Sequence, residues 1–247
     1  MRDLLRLMGF DVAMEAVGPS FARANEGIGG RTPEFDDIWQ RTAADVFPPG
    51  KLFEAHAIAL APQFSDAEWQ ELMDYFQTGL GARATELENI GHSSEGEADK
   101  AVIGDALVAD TLSDDPERMA LIDRMIRVLS TEEESLAYAM NISYAMAMGL
   151  SSTGQLPAQT TESQILEMLQ AQAPEMRKSL RTNAIRSNIY TYRALSNEEL
   201  EAYIDFLARD PAKKLYDGIH AETARLIPPL VERFGQTVME KMGTSPL

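Results

Sequence analysis

The sequence predicts an all-α protein, a compact multi-helix bundle in one domain over residues 1–247, and three observations predict it. Sustained alternation of apolar and polar residues is missing, and no Asn-Gly or Asp-Gly hairpin lies between β-branched runs; Asp217-Gly218 falls inside helical spacing instead. Helix starts are written out repeatedly as a capping residue followed by proline or by glutamate or glutamine three places on. Breakers then separate the apolar-periodic stretches, as "GIGG" at 27–30, "PPG" at 48–50, "GHSSEG" at 91–96 and "GLSSTGQLP" at 149–157.

Taken in order, the pattern places helices at 2–17, 33–46, 50–62, 66–88, 97–112, 116–129, 132–148, 162–172, 175–193, 197–208, 211–226 and 229–242. Thr32-Pro33 and Asp115-Pro116 each put a capping side chain before a proline, whose missing N–H would be unpaired in the first turn anyway. Thr161 and Gln164 form a capping box ahead of "ILEML". The acidic runs "SDDPE" at 113–117 and "TEEES" at 131–135 lack the spacing of a calcium loop and sit where carboxylates offset the positive end of a helix.

A net charge of -17 argues against nonspecific binding to nucleic acid or to an anionic membrane, because the average surface repels phosphate. The densest basic residues, Arg177, Lys178, Arg181 and Arg186, spread around a helix and read as a solvated face. With no cysteine there are no disulfides, thiolate nucleophiles or cysteine-ligated metals. The opening "MRDLLRLMGFDVAMEAVG" is interrupted by Arg6 and Asp11 and reads as a folded helix rather than a signal peptide. The least polar stretch, 136–150, is shorter than the roughly 20 residues of a membrane span.

One phrase occurs twice. "FSDAEWQELMDYFQTGLGARATE" at 64–86 and "LSNEELEAYIDFLARDPAKKLYD" at 195–217 share a capping box, Ser65 with Glu68 and Ser196 with Glu199. Both share a staple as well, Phe64 with Trp69 and Leu195 with Leu200. The apolar stripes then coincide, Trp69, Leu72, Met73 and Phe76 against Leu200, Tyr203, Ile204 and Leu207, and Asp74 corresponds to Asp205. Such agreement predicts two related halves, about 1–92 and 121–244, joined by a helical connector at 93–120. After the stripe each copy breaks its helix by a different device, Gly79 and Gly81 in one and Asp210-Pro211 in the other.

These two segments resemble a bacterial helical domain family of unknown function, mostly periplasmic. Its hallmark is a Ser-x-x-Glu-Leu start, an apolar stretch ending in Phe-Tyr, and Ser-Pro-x-Gly-Lys. The second copy matches the start, the Phe206 region, Pro211 and the lysines, with Asp210 for serine and no glycine after the proline. The first has Tyr75-Phe76, Gly81 and Arg83 but no proline. The resemblance implies an all-α fold and a periplasmic location, with cytoplasmic as the alternative; it carries no reaction, substrate or site residues.

Chemistry-bearing residues are sparse. His56, His92 and His220 lie far apart, and none has the spacing that puts two ligands on one helix face, so structural or surface roles are expected and no metal or cofactor. Asp74 and Asp205 are the paired carboxylates of interest: brought together they could split their pKa values for acid–base work, whereas the plainer role is helix pairing, such as Asp205 with Arg209. Met140, Met146 and Met148 could line an adaptable apolar groove or fill a core helix. The expected function is noncatalytic: an exported envelope protein that binds a partner or small ligand. The alternatives are a hydrophobic-ligand carrier and a hydrolase using carboxylates from both halves.

Overall fold

The computed structural model describes residues 1–27, 32–129, 132–151 and 161–244, so the turn at 28–30 and most of the loop at 149–157 lie outside the described residues. Within them the chain forms twelve α-helices, two short 3-10 turns and no strand. The first five helices are α1 (Arg2–Leu7), α2 (Phe10–Arg23), α3 (Pro33–Val46), α4 (Pro49–Leu60) and α5 (Asp66–Gln77). Next come α6 (Gly79–His92), α7 (Ser94–Asp114), α8 (Pro116–Leu129) and α9 (Glu132–Ser151). The chain closes with α10 (Glu162–Tyr192), α11 (Asn197–Leu207) and α12 (Asp210–Thr244).

The capping signals work as the sequence predicts. Thr32 accepts the Phe35 N–H at 3.1 Å, and the Asp115 carboxylate accepts the Arg118 N–H at 2.9 Å. Thr161 and Gln164 close a reciprocal box, and α9 starts on three glutamates. Boundaries differ where glycine and proline compete with packing. The stretch 2–17 divides at Gly9, whose φ of 69° starts α2, and 66–88 divides at Gly79, whose φ of 62° lets the chain turn between α5 and α6. The loop expected at 91–96 shrinks to one residue. Ser93 ends α6 through its N–H to the Asn89 and Ile90 carbonyls and starts α7 by accepting the Gly96 N–H at 3.0 Å.

Prolines, conversely, fail to end three helices. Pro19, Pro174 and the pair Pro228-Pro229 lie inside α2, α10 and α12, so the pairs 162–172 with 175–193 and 211–226 with 229–242 each fuse. A proline removes one hydrogen bond and crowds the preceding turn. In α12 the buried stripe Ile219, Ile227, Val231, Phe234 and Val238 continues across the prolines, and packing holds both sides in one line.

At about 1.5 Å per residue α12 is roughly 50 Å long and forms the axis of the bundle. Against its C-terminal half pack α3 and α9, with Trp39 edge-on to Phe234 at 4.7 Å, and Phe21 of α2, stacked on Phe47 at 4.3 Å, also meets Phe234. The crossing with α9 is backbone-close: a Cβ on Gly149 would lie 2.3 Å from the Glu232 carbonyl oxygen, and one on Gly235 3.0 Å from the Gly149 Cα. The N-terminal half of α12 meets α4, α5 and α11. The stretch expected as a connector, 93–120, is the full length of α7 and the start of α8, so the boundary drawn at 121 falls inside a helix.

Candidate functional site

The two capped helices, α5 and α11, come together. Both boxes are closed: the Ser65 and Ser196 N–H groups each donate to their glutamate at 2.9 Å, and the Glu68 and Glu199 N–H groups donate back to the serine hydroxyls at 3.4 and 3.2 Å. Each box glutamate also takes a cation from the other segment, 64–86 or 195–217. Lys214 of α12 reaches Glu68 at 2.9 Å, and Arg83 of α6 reaches Glu199 at 2.5 Å. Arg83 and Lys214 lie the same eighteen places beyond their own cap serine (65 to 83, 196 to 214). Lys214 and the Ser65 groups hold the Glu68 carboxyl down at about 2. At the far ends, Tyr75 and Phe206, each ten places beyond the cap serine, stack in parallel with centroids 3.3 Å apart.

Beside this stack lies a carboxylate that the sequence reading missed. Glu88 of α6 accepts the Tyr192 hydroxyl at 2.6 Å and the Tyr203 hydroxyl at 2.8 Å on one oxygen, tying α6 to α10 and α11. Tyr192 and Tyr203 are 4 % and 0 % exposed. Burial raises the Glu88 pKa, and the two phenol hydrogen bonds oppose that rise without cancelling it. Desolvation, then the neighbouring carboxylate, pushes both tyrosines well above their ordinary range, and burial likewise raises Tyr216 of α12. A signal was available: Gly81, Ala84, Thr85, Glu88 and Gly91 share one stripe of α6, so a glutamate occupies a position whose neighbours are buried. The arrangement is a polar joint between helices. Near it, the Tyr75 hydroxyl and the Thr85 hydroxyl have no hydrogen-bond partner among the described residues.

The candidate residues read from the sequence hold separate partners. Asp74 accepts from Gln70 at 2.7 Å within α5, and Asp205 pairs with Arg124 of α8 at 2.5 Å rather than with Arg209, which reaches Glu71. Both aspartates are exposed and hold different partners. His56 is fully buried, its Nδ1 donating to the Leu52 carbonyl at 2.8 Å and its Nε2 3.0 Å from Thr223 Oγ1. His92 and His220 are exposed on α6 and α12. No group of three His, Asp or Glu side chains placed to hold a metal occurs among the described residues. Of the basic residues, Arg181 bridges Asp123 and Glu132, Arg186 pairs with Asp105, and Arg177 and Lys178 are exposed. Met140, Met146 and Met148 are half-buried along α9, with Met146 packed on the main core. A shallow cleft of about 500 Å³ beside α5 and α12 is lined by Gln63, Glu68, Asp210, Lys213, Lys214, Asp217, Gly218 and Ala221, with no large apolar side chain among them.

The surface is unusual along α7. Its inner face, Gly96, Lys100, Gly104, Leu107, Val108 and Thr111, is buried or half-buried. The opposite face carries Ala98, Ala101, Val102, Ala106, Ala109 and Leu112, all exposed, with Val102 at 81 % and Leu112 at 59 %. At 3.6 residues per turn these fall on one stripe about four turns long. Asp99 and Asp110 border one side of it and Glu97 the other, Glu95 stands one turn before its start, and Asp105 lies within it, paired with Arg186. The helix holds six acidic residues against one lysine, and that lysine is 8 % exposed and paired with Glu97.

No protein-family model, curated protein or solved structure matches the chain. Among the described residues no helix is long and apolar enough to cross a membrane.

Proposed function

We propose that the protein is a noncatalytic helical binding protein of the bacterial envelope, and that the outer face of α7 is where its partner docks. The exposed stripe of α7 carries this reading. Single exposed apolar side chains are ordinary, but a line of exposed alanines with Val102 and Leu112 opposite the packed side of one helix is a second face suited to a partner. The separate partners of Asp74 and Asp205 favour binding over carboxylate hydrolysis, and a shallow cleft lined by no large apolar side chain favours it over a hydrophobic-ligand carrier. The envelope location rests on the resemblance of 64–86 and 195–217 alone. Recovery of partners from envelope extract by the wild-type chain and by a Val102→Gln, Leu112→Gln variant tests the face. A species lost with the variant supports the reading, and identical recovery refutes it. Fractionation of cells making the native precursor tests the location.

We infer as well that α5–α6 and α11–α12 are related by an internal pseudo-twofold. In a twofold contact residue i meets j while j meets i, and residues on the axis meet their own equivalents. The crossed pairs Glu68–Lys214 and Glu199–Arg83 and the stack of Tyr75 on Phe206 have that pattern. Double-mutant cycles on the two ion pairs test it: similar coupling energies support equivalence, and coupling at only one of them speaks against it.

A further inference from the structure

Resting on the reading of α7 as the binding face, we infer that its occupant is a cationic amphipathic α-helix. The target is long and narrow. From Ala98 to Leu112 the stripe runs about 21 Å at 1.5 Å per residue, the length of a partner helix of four turns and far from the shape of a compact ligand. Val102 and Leu112 stand as large apolar contacts about one turn from its start and at its end. The alanines between them let a second helix axis approach to about 8–10 Å, the ordinary spacing of packed helices. Such a surface selects apolar side chains recurring at i, i+3 or i+4, and i+7 on the incoming helix.

Charge then fixes the sign of the partner. The stripe is bordered by Asp99 and Asp110 on one side and Glu97 on the other, with Glu95 one turn before its start and Asp105 within it. Asp105 is paired with Arg186, Glu97 with Lys100, and Asp99 accepts the Tyr190 hydroxyl at 3.3 Å. Glu95 and Asp110 have no ion pair among the described residues, and lysines or arginines flanking the apolar face of a docked helix would reach them. A second copy of this chain would bring an equally acidic helix to the same border, and an anionic lipid surface or nucleic acid would be repelled by the net charge of -17.

The test uses the whole chain and a synthetic 18-residue helical peptide with leucine and alanine on one face and lysine on the flanks. Binding is followed by fluorescence anisotropy and mapped by amide shifts. The expected result is a complex that shifts α7 amides, weakens as salt rises, and loses about tenfold or more in affinity with Val102→Gln, Leu112→Gln. Because Val102 is 81 % exposed and Leu112 59 %, the variant leaves the core intact, and unchanged thermal unfolding confirms that. Glu95→Gln, Asp110→Asn weakens the lysine peptide and leaves an uncharged version unaffected. If a glutamate-flanked peptide binds as well as the lysine one and the Val102 variant blocks both, the face binds partners but the cationic assignment is wrong. Lysine-peptide affinity that ignores the Val102 variant overturns both the assignment and the binding face. A dimer in light scattering that Val102→Gln, Leu112→Gln converts to monomer makes a second copy the occupant and overturns the proposal.

Discussion

Replacing Glu88 separates what its charge does from what its hydrogen bonds do. In Glu88→Ala the Tyr192 and Tyr203 hydroxyls, 4 % and 0 % exposed at the residue level, lose their acceptor. A buried hydroxyl left unpaired costs about 1–3 kcal/mol, so the pair is expected to cost roughly 2–6 kcal/mol, a large part of the roughly 5–15 kcal/mol that holds a domain folded. Glu88→Gln retains an oxygen that accepts both hydroxyls and removes the charge that burial penalises. It is expected to stay within about 1 kcal/mol of wild type at pH 7. The pH dependence separates them further. The folded pKa of Glu88 lies above its ordinary value of 4.5, so its contribution is complete below that value and is lost as pH rises through the folded pKa. Urea unfolding from pH 4 to 8 reads both effects, with the m-value unchanged if the unfolded state is unaffected. Equal losses for Glu88→Gln and Glu88→Ala, or a wild-type pH profile in Glu88→Gln, would refute the reasoning.

His56 runs in the opposite direction. Burial lowers its pKa from 6.5, so its contribution is present above that value and lost as pH falls through the folded pKa, and a His56→Gln variant unfolded across the same series should lose that acid-side slope. Ser65→Ala and Ser196→Ala each remove one closed capping box and are expected to cost about 0.5–2 kcal/mol in denaturant midpoint; a free substitution at either position contradicts the cap. Gly149→Ala puts a methyl 2.3 Å from the Glu232 carbonyl oxygen and should force α9 from α12, with a loss of about 1–3 kcal/mol by thermal unfolding.

What the sequence made legible is local. The boxes at Ser65, Thr161 and Ser196, the caps at Thr32 and Asp115, and the all-helical class are written in residues three or four places apart, and those interactions form wherever the rest of the chain goes. The prolines of α12 were misread because a break in propensity was weighed without the stripe that continues past it, from Ile219 through Ile227 to Val238. Asp205 was matched to Arg209 because only same-helix neighbours are visible in a sequence, whereas its partner, Arg124, comes from α8. Glu88 was legible as an anomaly, a carboxylate in a stripe of small buried residues, but Tyr192 and Tyr203 lie more than a hundred positions away. The face of α7 went unnoticed because its alanines count as apolar for either face, and only the packing of Gly104 and Lys100 shows which one is turned outward.

The crossed clasp has a consequence for the order in which the chain is made. Glu68 waits for Lys214 and Tyr75 for Phe206, so contacts that complete the N-terminal half are supplied by the last fifth of the sequence. A nascent chain emerging from the ribosome can form α5 and α6 early, since their caps are local, yet the face that meets α11 and α12 remains uncovered until synthesis is nearly finished. Holding that face apart from other chains in the interval is a task for the cell's folding machinery, and a chain stopped before residue 206 should be retained by it.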